Sequence, residues 1–198
     1  MILDRFYPIF DSLAWLERTL PLGVKLVQLR IKEMPEPALR PLVANAQALC
    51  RSHDAVLVVN DHWRIAIDAG CDWVHLGQED LDDADLAAIR RAGIRLGIST
   101  HDHAELDRAL ALEADYVALG PVYPTILKKM KWTQQGLDRV AEWKRLIGDL
   151  PLVAIGGMTP ERAEGAFAAG ADIVSAVTDI TLSDHPEDRV RHWLKTTR

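Results

Sequence analysis

Two apolar runs of this chain each end in an aspartate, and paired carboxylates are common metal ligands. The first run reads V58-V-N-D61 and the second reads V74-H-L-G-Q-E-D80. If the runs are neighbouring parallel strands, Asp61 and Asp80 lie together at the rim beyond the strand ends. Mg²⁺ in proteins commonly takes one or two carboxylates and completes its shell with waters and phosphate oxygens. The pair therefore predicts a site for a metal-bound polyphosphate.

Cationic residues lie at the ends of two other apolar runs. Arg30 and Lys32 follow the second run, and Lys128 follows the sixth. Arginine can hold a phosphate through two parallel hydrogen bonds, whereas lysine acts as a point charge on a flexible stem. We expect these three side chains to balance the phosphate charge that the metal leaves uncompensated.

A second anion site is predicted at the turn after the seventh run. Gly156 and Gly157 lie there, ahead of a predicted helix. Bare backbone N–H groups and the positive end of a helix favour a phosphate. Ser175, near the end of the eighth run, can add an N–H group or a hydroxyl. The chain is thus expected to bind one anionic group at the metal and another here.

The pair of anion sites limits the chemistry. The sequence contains no nucleophile elbow, P-loop or G-x-G-x-x-G fingerprint. In one such reaction, a pyrophosphate leaves one substrate while a second substrate is held by its own monophosphate. The protein must then position both substrates and stabilise the charge on the leaving group. Such a reaction needs no covalent nucleophile.

The composition excludes several other classes of protein. With 198 residues, 48% of them hydrophobic, the chain can bury one large core, and we expect a single domain over residues 1–198. A net charge of −6 argues against the basic surface that binds nucleic acid. No segment has the roughly eighteen continuous apolar residues of a membrane span. Cys50 and Cys71 form no CxxC pair, which fits a reduced cytoplasm. Assembly into a homo-oligomer is compatible with the sequence.

Eight apolar runs rich in Val, Ile and Leu alternate with segments of helical spacing. The predicted strands cover residues 6–10, 24–30, 55–60, 73–77, 95–99, 116–120, 152–156 and 172–177. The first is the least regular, because Pro8 lies within it. Apolar strands covered by helices predict the α/β class with a parallel sheet, and eight units close a single-domain (β/α)₈ TIM barrel. An open doubly wound sheet is the competing prediction.

Helix signals occur between the predicted strands. Thr159 can cap a helix that starts at Pro160 and ends before Gly170, and Gly93 can end an earlier helix. Asp61 and Asp80 have the alternative interpretation of helix caps. His101 and His103 suggest a metal, but D102-H-A-E105 is also a typical helix start. His75 alternates with apolar neighbours, so we expect it to be packed or hydrogen-bonded.

Several motifs, taken together in chain order, are similar to those of one family. They are V27-Q-L-R-I-K32, V59-N-D61, H75-L-G-Q-E-D80, G97-I-S-T-H101, Y116-V-A-L-G-P-V-Y-P-T125, V153-A-I-G-G157 and G170-A-D-I-V-S-A176. The ordered set runs over nearly the whole chain and resembles the thiamine-phosphate synthase family.

The resemblance implies a TIM-barrel transferase of thiamine biosynthesis. Such an enzyme couples 4-amino-2-methyl-5-hydroxymethylpyrimidine diphosphate to 4-methyl-5-(2-phosphoethyl)thiazole or its 2-carboxylate, with Mg²⁺, giving thiamine phosphate and pyrophosphate. Pyrophosphate leaves first, the pyrimidine ring spreads the resulting cation, and the thiazole nitrogen then attacks. The resemblance implies catalytic roles for Arg30, Lys32 and Lys128.

The resemblance also assigns residues to binding. Asp61 and Asp80 match the metal pair. The positions that match substrate-binding residues are Gln28, Arg30, Lys32, Asn60, Ser99, Thr125, Lys128, Gly157, Val174 and Ser175. The resemblance assigns Gln28, Arg30 and Lys32 to the pyrimidine diphosphate. It assigns Gly157, Val174 and Ser175 to the thiazole phosphate.

Two departures from the family pattern leave alternatives open. Leu127 replaces the second threonine of the usual Pro-Thr-x-Thr-Lys loop, and Ile31 stands where an acidic residue is common. One alternative is a thiazole tautomerase-like enzyme, which needs the thiazole phosphate site but not the diphosphate site. The other is a non-catalytic binding protein of the thiamine pathway.

Overall fold

Eight parallel strands form a closed barrel in the computed structural model, which describes residues 3–125 and 133–198. The strands are β1 Phe6–Phe10, β2 Leu26–Leu29, β3 Val56–Asn60, β4 Trp73–Leu76, β5 Arg95–Thr100, β6 Tyr116–Leu119, β7 Leu152–Ile155 and β8 Ile173–Ala176. Each strand pairs with the next, and β8 pairs with β1 to complete the ring. The predicted (β/α)₈ barrel is confirmed, and the competing open sheet is wrong.

Helices follow the strands and cover the outside of the barrel. In the described ranges they are α1 Leu13–Thr19, α2 Glu36–Ser52, α3 Trp63–Asp68, α4 Asp80–Asp83, α5 Leu86–Arg91, α6 His103–Ala111, α7 Gly136–Ile147, α8 Pro160–Ala168, α9 Thr178–Thr181 and α10 Pro186–Thr197. A 3₁₀ helix, Leu20–Leu22, follows α1. None of these helices is long and apolar enough to cross a membrane.

The strands bury both of their faces, which explains why their sequences are almost continuously apolar. Inward-facing side chains form one cluster inside the barrel, which includes Leu26, Val58, Trp73, Val153 and Ile173. Side chains at alternate positions pack between the barrel and the helices, and they include Val27, Val59, Val74, Leu119 and Val174. Because all eight strands run in parallel, their carboxyl ends share one rim.

The helix starts and ends match the signals in the sequence, except for the predicted capping bond at the start of α8. Gly93 and Gly170 have positive φ values of 74° and 104° directly after α5 and α8, which ends both helices as predicted. Asp102 accepts a hydrogen bond from the Glu105 N–H at 2.9 Å and caps α6. Thr159 occupies the position before α8 but makes no side-chain capping bond.

Candidate active site

Asp61 and Asp80 lie close together at the rim, where the Asp80 carboxyl raises the pKa of the Asp61 carboxyl. Asp61 follows β3 directly and has a positive φ of 62°, a conformation that few residues other than glycine adopt. The Asp61 N–H donates to the carbonyl of His75 on β4 at 2.9 Å. Backbone strain held in place by such contacts is typical of functional sites.

The charges around Asp61 oppose one another. Burial raises the pKa of the Asp61 carboxyl, the neighbouring Asp80 raises it further, and Lys32 and Arg30 lower it. The Lys32 ammonium lies 3.6 Å from Asp61 Oδ2. Two ionised carboxylates in contact repel each other, so binding a divalent cation between them would relieve a cost that is already present.

We call Asn60, Asp61 and Asp80 the carboxylate corner. The oxygen ligands of this region suit Mg²⁺. Asn60 Nδ2 is buried and has no hydrogen-bond partner among the described residues, which leaves a donor for a ligand oxygen. Residues 3–125 and 133–198 contain no cluster of three or more His, Cys, Asp or Glu side chains suited to a metal. Mg²⁺ requires only one or two carboxylates when phosphates supply other ligands, so the pair is sufficient.

The capping interpretation of Asp80 also holds in part. Asp80 Oδ2 accepts from the Gly77 N–H at 3.0 Å, and this bond stabilises the turn between β4 and α4. Asp61 makes no such capping bond at α3, whose N-terminal cap position is His62. The two aspartates therefore differ, since only Asp80 has a local structural role.

A cavity of about 370 Å³ opens at the rim, large enough for a small-molecule ligand. Its walls include five of the predicted substrate-binding residues, namely Arg30, Ser99, Thr125, Gly157 and Ser175. Arg30 lies on the cavity wall and is also near enough to Asp61 to lower the pKa of that carboxyl. Arg30 thus connects the cavity with the carboxylate corner.

The glycine turn after β7 shapes one side of the cavity. Gly156 and Gly157 have positive φ values of 96° and 62°. A Cβ on Gly156 would lie 2.6 Å from Pro121 Cα, and one on Gly157 would lie 2.4 Å from Pro124 O. Larger residues are excluded at both positions, and the backbone stays uncovered just before α8. This geometry suits a phosphate.

Ser175 adds an open polar group on the neighbouring strand. Its side chain is 1% exposed, and its Oγ has no partner among the described residues. A buried hydroxyl without a partner is costly, and Ser175 lines the cavity. A bound anion would satisfy the hydroxyl.

One predicted binding residue is placed differently. Val174 alternates with the inward-facing Ile173 and Ser175, so its side chain is fully buried against the helices. Only the backbone of Val174 can contact a ligand in the barrel. Lys128 and Leu127 lie outside the described residues.

Gln28 and Ser99 are connected inside the barrel by three side chains that the sequence analysis did not assign to the site. These are Tyr7, Tyr116 and His75, which hydrogen-bond in series between them. Gly97 makes room for the Tyr116 ring, because a Cβ there would lie 2.0 Å from Tyr116 Cζ. A glycine within a strand often marks such a close approach and was the available signal.

Burial sets the protonation of these side chains. Burial lowers the pKa of His75 to about 4, so its imidazole is neutral near pH 7. Burial likewise raises the pKa of Tyr7 and Tyr116, which keep their protons. The prediction that His75 is packed or hydrogen-bonded is confirmed.

His101 and His103 bind different glutamates. His101 Nδ1 lies 2.7 Å from Glu105 Oε2, and His103 Nε2 lies 2.8 Å from Glu142 Oε1. The two imidazoles therefore hydrogen-bond to α6 and α7 separately, as expected for the helix-start interpretation.

Known proteins with similar sequences and structures point to one family. The family described as thiamine monophosphate synthase matches residues 3–180. A thiamine-phosphate synthase of Rhizobium etli is 60% identical over 197 residues, covering 100% of this chain and 97% of that protein. One from Neisseria meningitidis serogroup A is 44% identical over 187 residues, covering 94% and 91% respectively.

A solved structure agrees at the level of the fold. A thiamine phosphate pyrophosphorylase from Pyrococcus furiosus superposes with a TM-score of 0.86 at 24% identity, covering 98% of this chain and 95% of that chain. The barrel is thus shared with that protein. By the extent of the sequence match, this chain belongs to the thiamine monophosphate synthase family.

Proposed function

We propose that this protein is a transferase that joins a pyrimidine diphosphate to a thiazole phosphate, giving thiamine phosphate and pyrophosphate. The substrates are 4-amino-2-methyl-5-hydroxymethylpyrimidine diphosphate and 4-methyl-5-(2-phosphoethyl)thiazole or its 2-carboxylate. The observation that carries the proposal is the adjacency of the carboxylate corner and the cavity, with Arg30 between them. A reaction that joins two phosphorylated substrates requires both anion sites at one rim.

The diphosphate is assigned to the carboxylate corner. Arg30 and Lys32 supply positive charge there, and Lys32 lies 3.6 Å from Asp61. When bound by Asp61 and Asp80, Mg²⁺ would neutralise phosphate oxygens and stabilise the departing pyrophosphate. Lys128, which is outside the described residues, is assigned to the same group by its match to the family motif.

The organic parts of the substrates are assigned to the barrel interior and the cavity. Gln28, Asn60 and Ser99 face the pyrimidine side. Gly157 and Ser175, with the backbone of Val174, hold the thiazole phosphate, and Thr125 lies at the edge of the cavity. The unpartnered groups of Asn60 and Ser175 support this division, since each adjoins a different anion site.

The proposed step breaks the carbon–oxygen bond to pyrophosphate before the new carbon–nitrogen bond forms. The leaving oxygen takes the electron pair, and the aminopyrimidine ring spreads the positive charge left on its CH₂ group. The thiazole nitrogen then donates its lone pair to that carbon, and a 2-carboxylate, where the substrate carries one, leaves as CO₂. Arg30 and Lys32 interact more strongly with the leaving group as charge develops on it, which lowers the barrier.

The carboxylate corner distinguishes this proposal from one of its two alternatives. A tautomerase-like enzyme needs only the cavity and the glycine turn, so the pairing of Asp61 and Asp80 would have no purpose in it. A non-catalytic binder would use the same charges to hold a diphosphate, so release of pyrophosphate is what separates it from the proposed enzyme. The proposal also includes a cytoplasmic setting, which the free, buried Cys50 and Cys71 support.

The test is to mix the purified protein with both substrates, with and without Mg²⁺, and to quantify thiamine phosphate and pyrophosphate. We expect both products in equal amounts, and only when Mg²⁺ is present. Binding of both substrates without any product would contradict the proposal and favour the binder. Isomerisation of a thiazole phosphate without Mg²⁺ would favour the tautomerase.

A further inference from the structure

A continuous series of hydrogen bonds crosses the interior of the barrel. We call its five members, Gln28, Tyr7, Tyr116, His75 and Ser99, the buried chain. Gln28 Nε2 lies 2.8 Å from Tyr7 Oη, and the two tyrosine oxygens are 3.0 Å apart. His75 Nδ1 lies 2.8 Å from Tyr116 Oη, and His75 Nε2 lies 2.8 Å from Ser99 Oγ. The buried chain joins side chains from five strands, although the residues around it inside the barrel are mainly apolar.

The first bond determines the direction of all the others. Gln28 Nε2 can only donate, so Tyr7 Oη accepts and must give its own proton to Tyr116. Tyr116 then gives its proton to His75 Nδ1, because the described residues offer it no other acceptor. His75 therefore carries its proton on Nε2 and donates it to Ser99 Oγ. The Ser99 hydroxyl keeps its own proton free for a ligand.

The two ends of the buried chain present opposite groups. Because Gln28 Nε2 donates to Tyr7, the amide presents its Oε1 as the remaining acceptor at that end. Ser99 lines the cavity and is left as a donor. In the reversed order, the Gln28 amide would be rotated so that its oxygen accepted from Tyr7; Gln28 would then present its N–H₂ group, and Ser99 only an acceptor. The polarities of the two ends are consequently linked, although they lie on different strands.

Under the proposed function, this polarity matches the pyrimidine diphosphate. The amino group of the ring is a donor, and the diphosphate oxygens are acceptors. An acceptor at Gln28 and a donor at Ser99 fit both, whereas the reversed order would oppose both. A mismatched buried polar group is costly, so a fixed proton order adds selectivity at two contacts.

We propose that the three middle members of the buried chain are positioning residues for the pyrimidine diphosphate. Tyr7, Tyr116 and His75 touch no substrate in this scheme. They hold Gln28 as an acceptor and Ser99 as a donor by keeping one proton order. This inference rests on the proposed function for the identity of the ligand, but the proton order itself is a property of the free protein.

The first test determines the tautomer of His75 in the free protein by nitrogen NMR. We expect the Nε2–H tautomer near neutral pH, with the signal identified by its loss in a His75→Gln variant. An Nδ1–H tautomer would reverse the buried chain and overturn the proposal. This measurement requires no turnover, so it decides the proton order even if the proposed function is wrong.

The second test breaks the buried chain with Tyr116→Phe, which removes one hydroxyl and keeps the ring. We expect kcat/KM for the pyrimidine diphosphate to fall about 10- to 100-fold, as is usual when a partner that orients a functional group is lost. KM for the thiazole phosphate should stay unchanged. The His75 signal should become a mixture of tautomers, because Nδ1 has lost its donor.

Thr100→Val is the matched control for a buried hydroxyl. Thr100 follows Ser99 but faces the helices, donating to Ala118 O at 3.1 Å and accepting from Trp143 Nε1 at 2.9 Å. Thr100→Val should lower Tm while kcat/KM stays near the wild-type value. Wild-type kcat/KM in Tyr116→Phe, or an equal loss of kcat/KM in Thr100→Val, would overturn the positioning role. Absence of turnover in the wild type would instead refute the proposed function.

Discussion

Asp80 lies near enough to Asp61 to raise the pKa of the Asp61 carboxyl, although Asp61 follows strand β3 and Asp80 begins helix α4. The fold therefore holds two groups of like charge close together and adds Lys32 at 3.6 Å from Asp61. Repulsion between the carboxylates disfavours the free protein, whereas a divalent cation would relieve it. A pair of this kind is more easily explained by ligand binding than by stability.

Asp61→Asn and Asp80→Asn should each lower Mg²⁺-dependent turnover about 100-fold or more, because both remove charge that would hold the leaving group's metal. Neither change should destabilise the fold, since each removes one of two repelling charges. Steady-state rates over a Mg²⁺ titration measure the first effect, and thermal unfolding measures the second.

The control for the aspartate variants is Asp83→Asn, which changes an exposed carboxylate in the same helix, α4. Turnover of this variant should match that of the wild type. Near-normal turnover in both Asp61→Asn and Asp80→Asn would refute the metal assignment.

Gly157→Ala should weaken thiazole phosphate binding more than pyrimidine diphosphate binding. The new Cβ would lie 2.4 Å from Pro124 O, so the turn must move and the uncovered N–H groups move with it. Calorimetric titration of each ligand separately measures the difference.

Gly93→Ala is the control for backbone conformation. Gly93 has a similar φ of 74°, and a Cβ there would meet nothing within 4 Å. This variant should lose about 1 kcal/mol of stability and bind both ligands normally. Equal effects on both ligands in Gly157→Ala would contradict a phosphate site at the glycine turn.

Ser175→Ala should weaken thiazole phosphate binding without destabilising the protein. The buried Oγ has no partner among the described residues, so its removal takes away an unsatisfied group rather than a bond. We expect an unchanged or higher Tm, together with a raised KM for the thiazole phosphate. A clear fall in Tm would show that the hydroxyl has a structural partner instead.

Asp179→Ala should destabilise the fold by about 3 kcal/mol, as expected when one partner of a largely buried ion pair is removed. Asp179 accepts two bonds from Arg189, at 2.7 and 2.8 Å, and one from Trp193 Nε1 at 2.7 Å. These bonds join α9 to α10, and urea unfolding measures their loss.

The exposed pair between Arg191 and Asp188 provides the comparison within α10. Asp188→Ala should change the free energy of unfolding by less than about 1 kcal/mol, because water screens exposed charges. A similar cost for Asp179→Ala and Asp188→Ala would contradict the structural role given to Asp179.

The sequence was sufficient to predict the barrel and the general position of the site. Eight apolar runs, each followed by a segment with helical spacing, require strands buried on both faces, and parallel strands place their carboxyl ends together. Asp61, Asp80 and Gly157 all follow such runs, so the sequence predicts them at one rim. The roles assigned to these residues stay predictions until the variants are measured.

The tertiary structure decided which side chains touch. Tyr7 and Tyr116 are separated by 109 positions, and their contact depends on how deep each side chain lies inside the closed barrel. Alternation along β8 places Val174 and Ser175 on opposite faces, and the tertiary structure shows that Ser175 faces the cavity while Val174 packs against the helices. Strand order follows from local patterns along the chain, whereas depth and facing follow from the packing of all eight strands at once. For this reason the rim was predictable from the sequence, and the hydrogen-bonded interior beneath it was not.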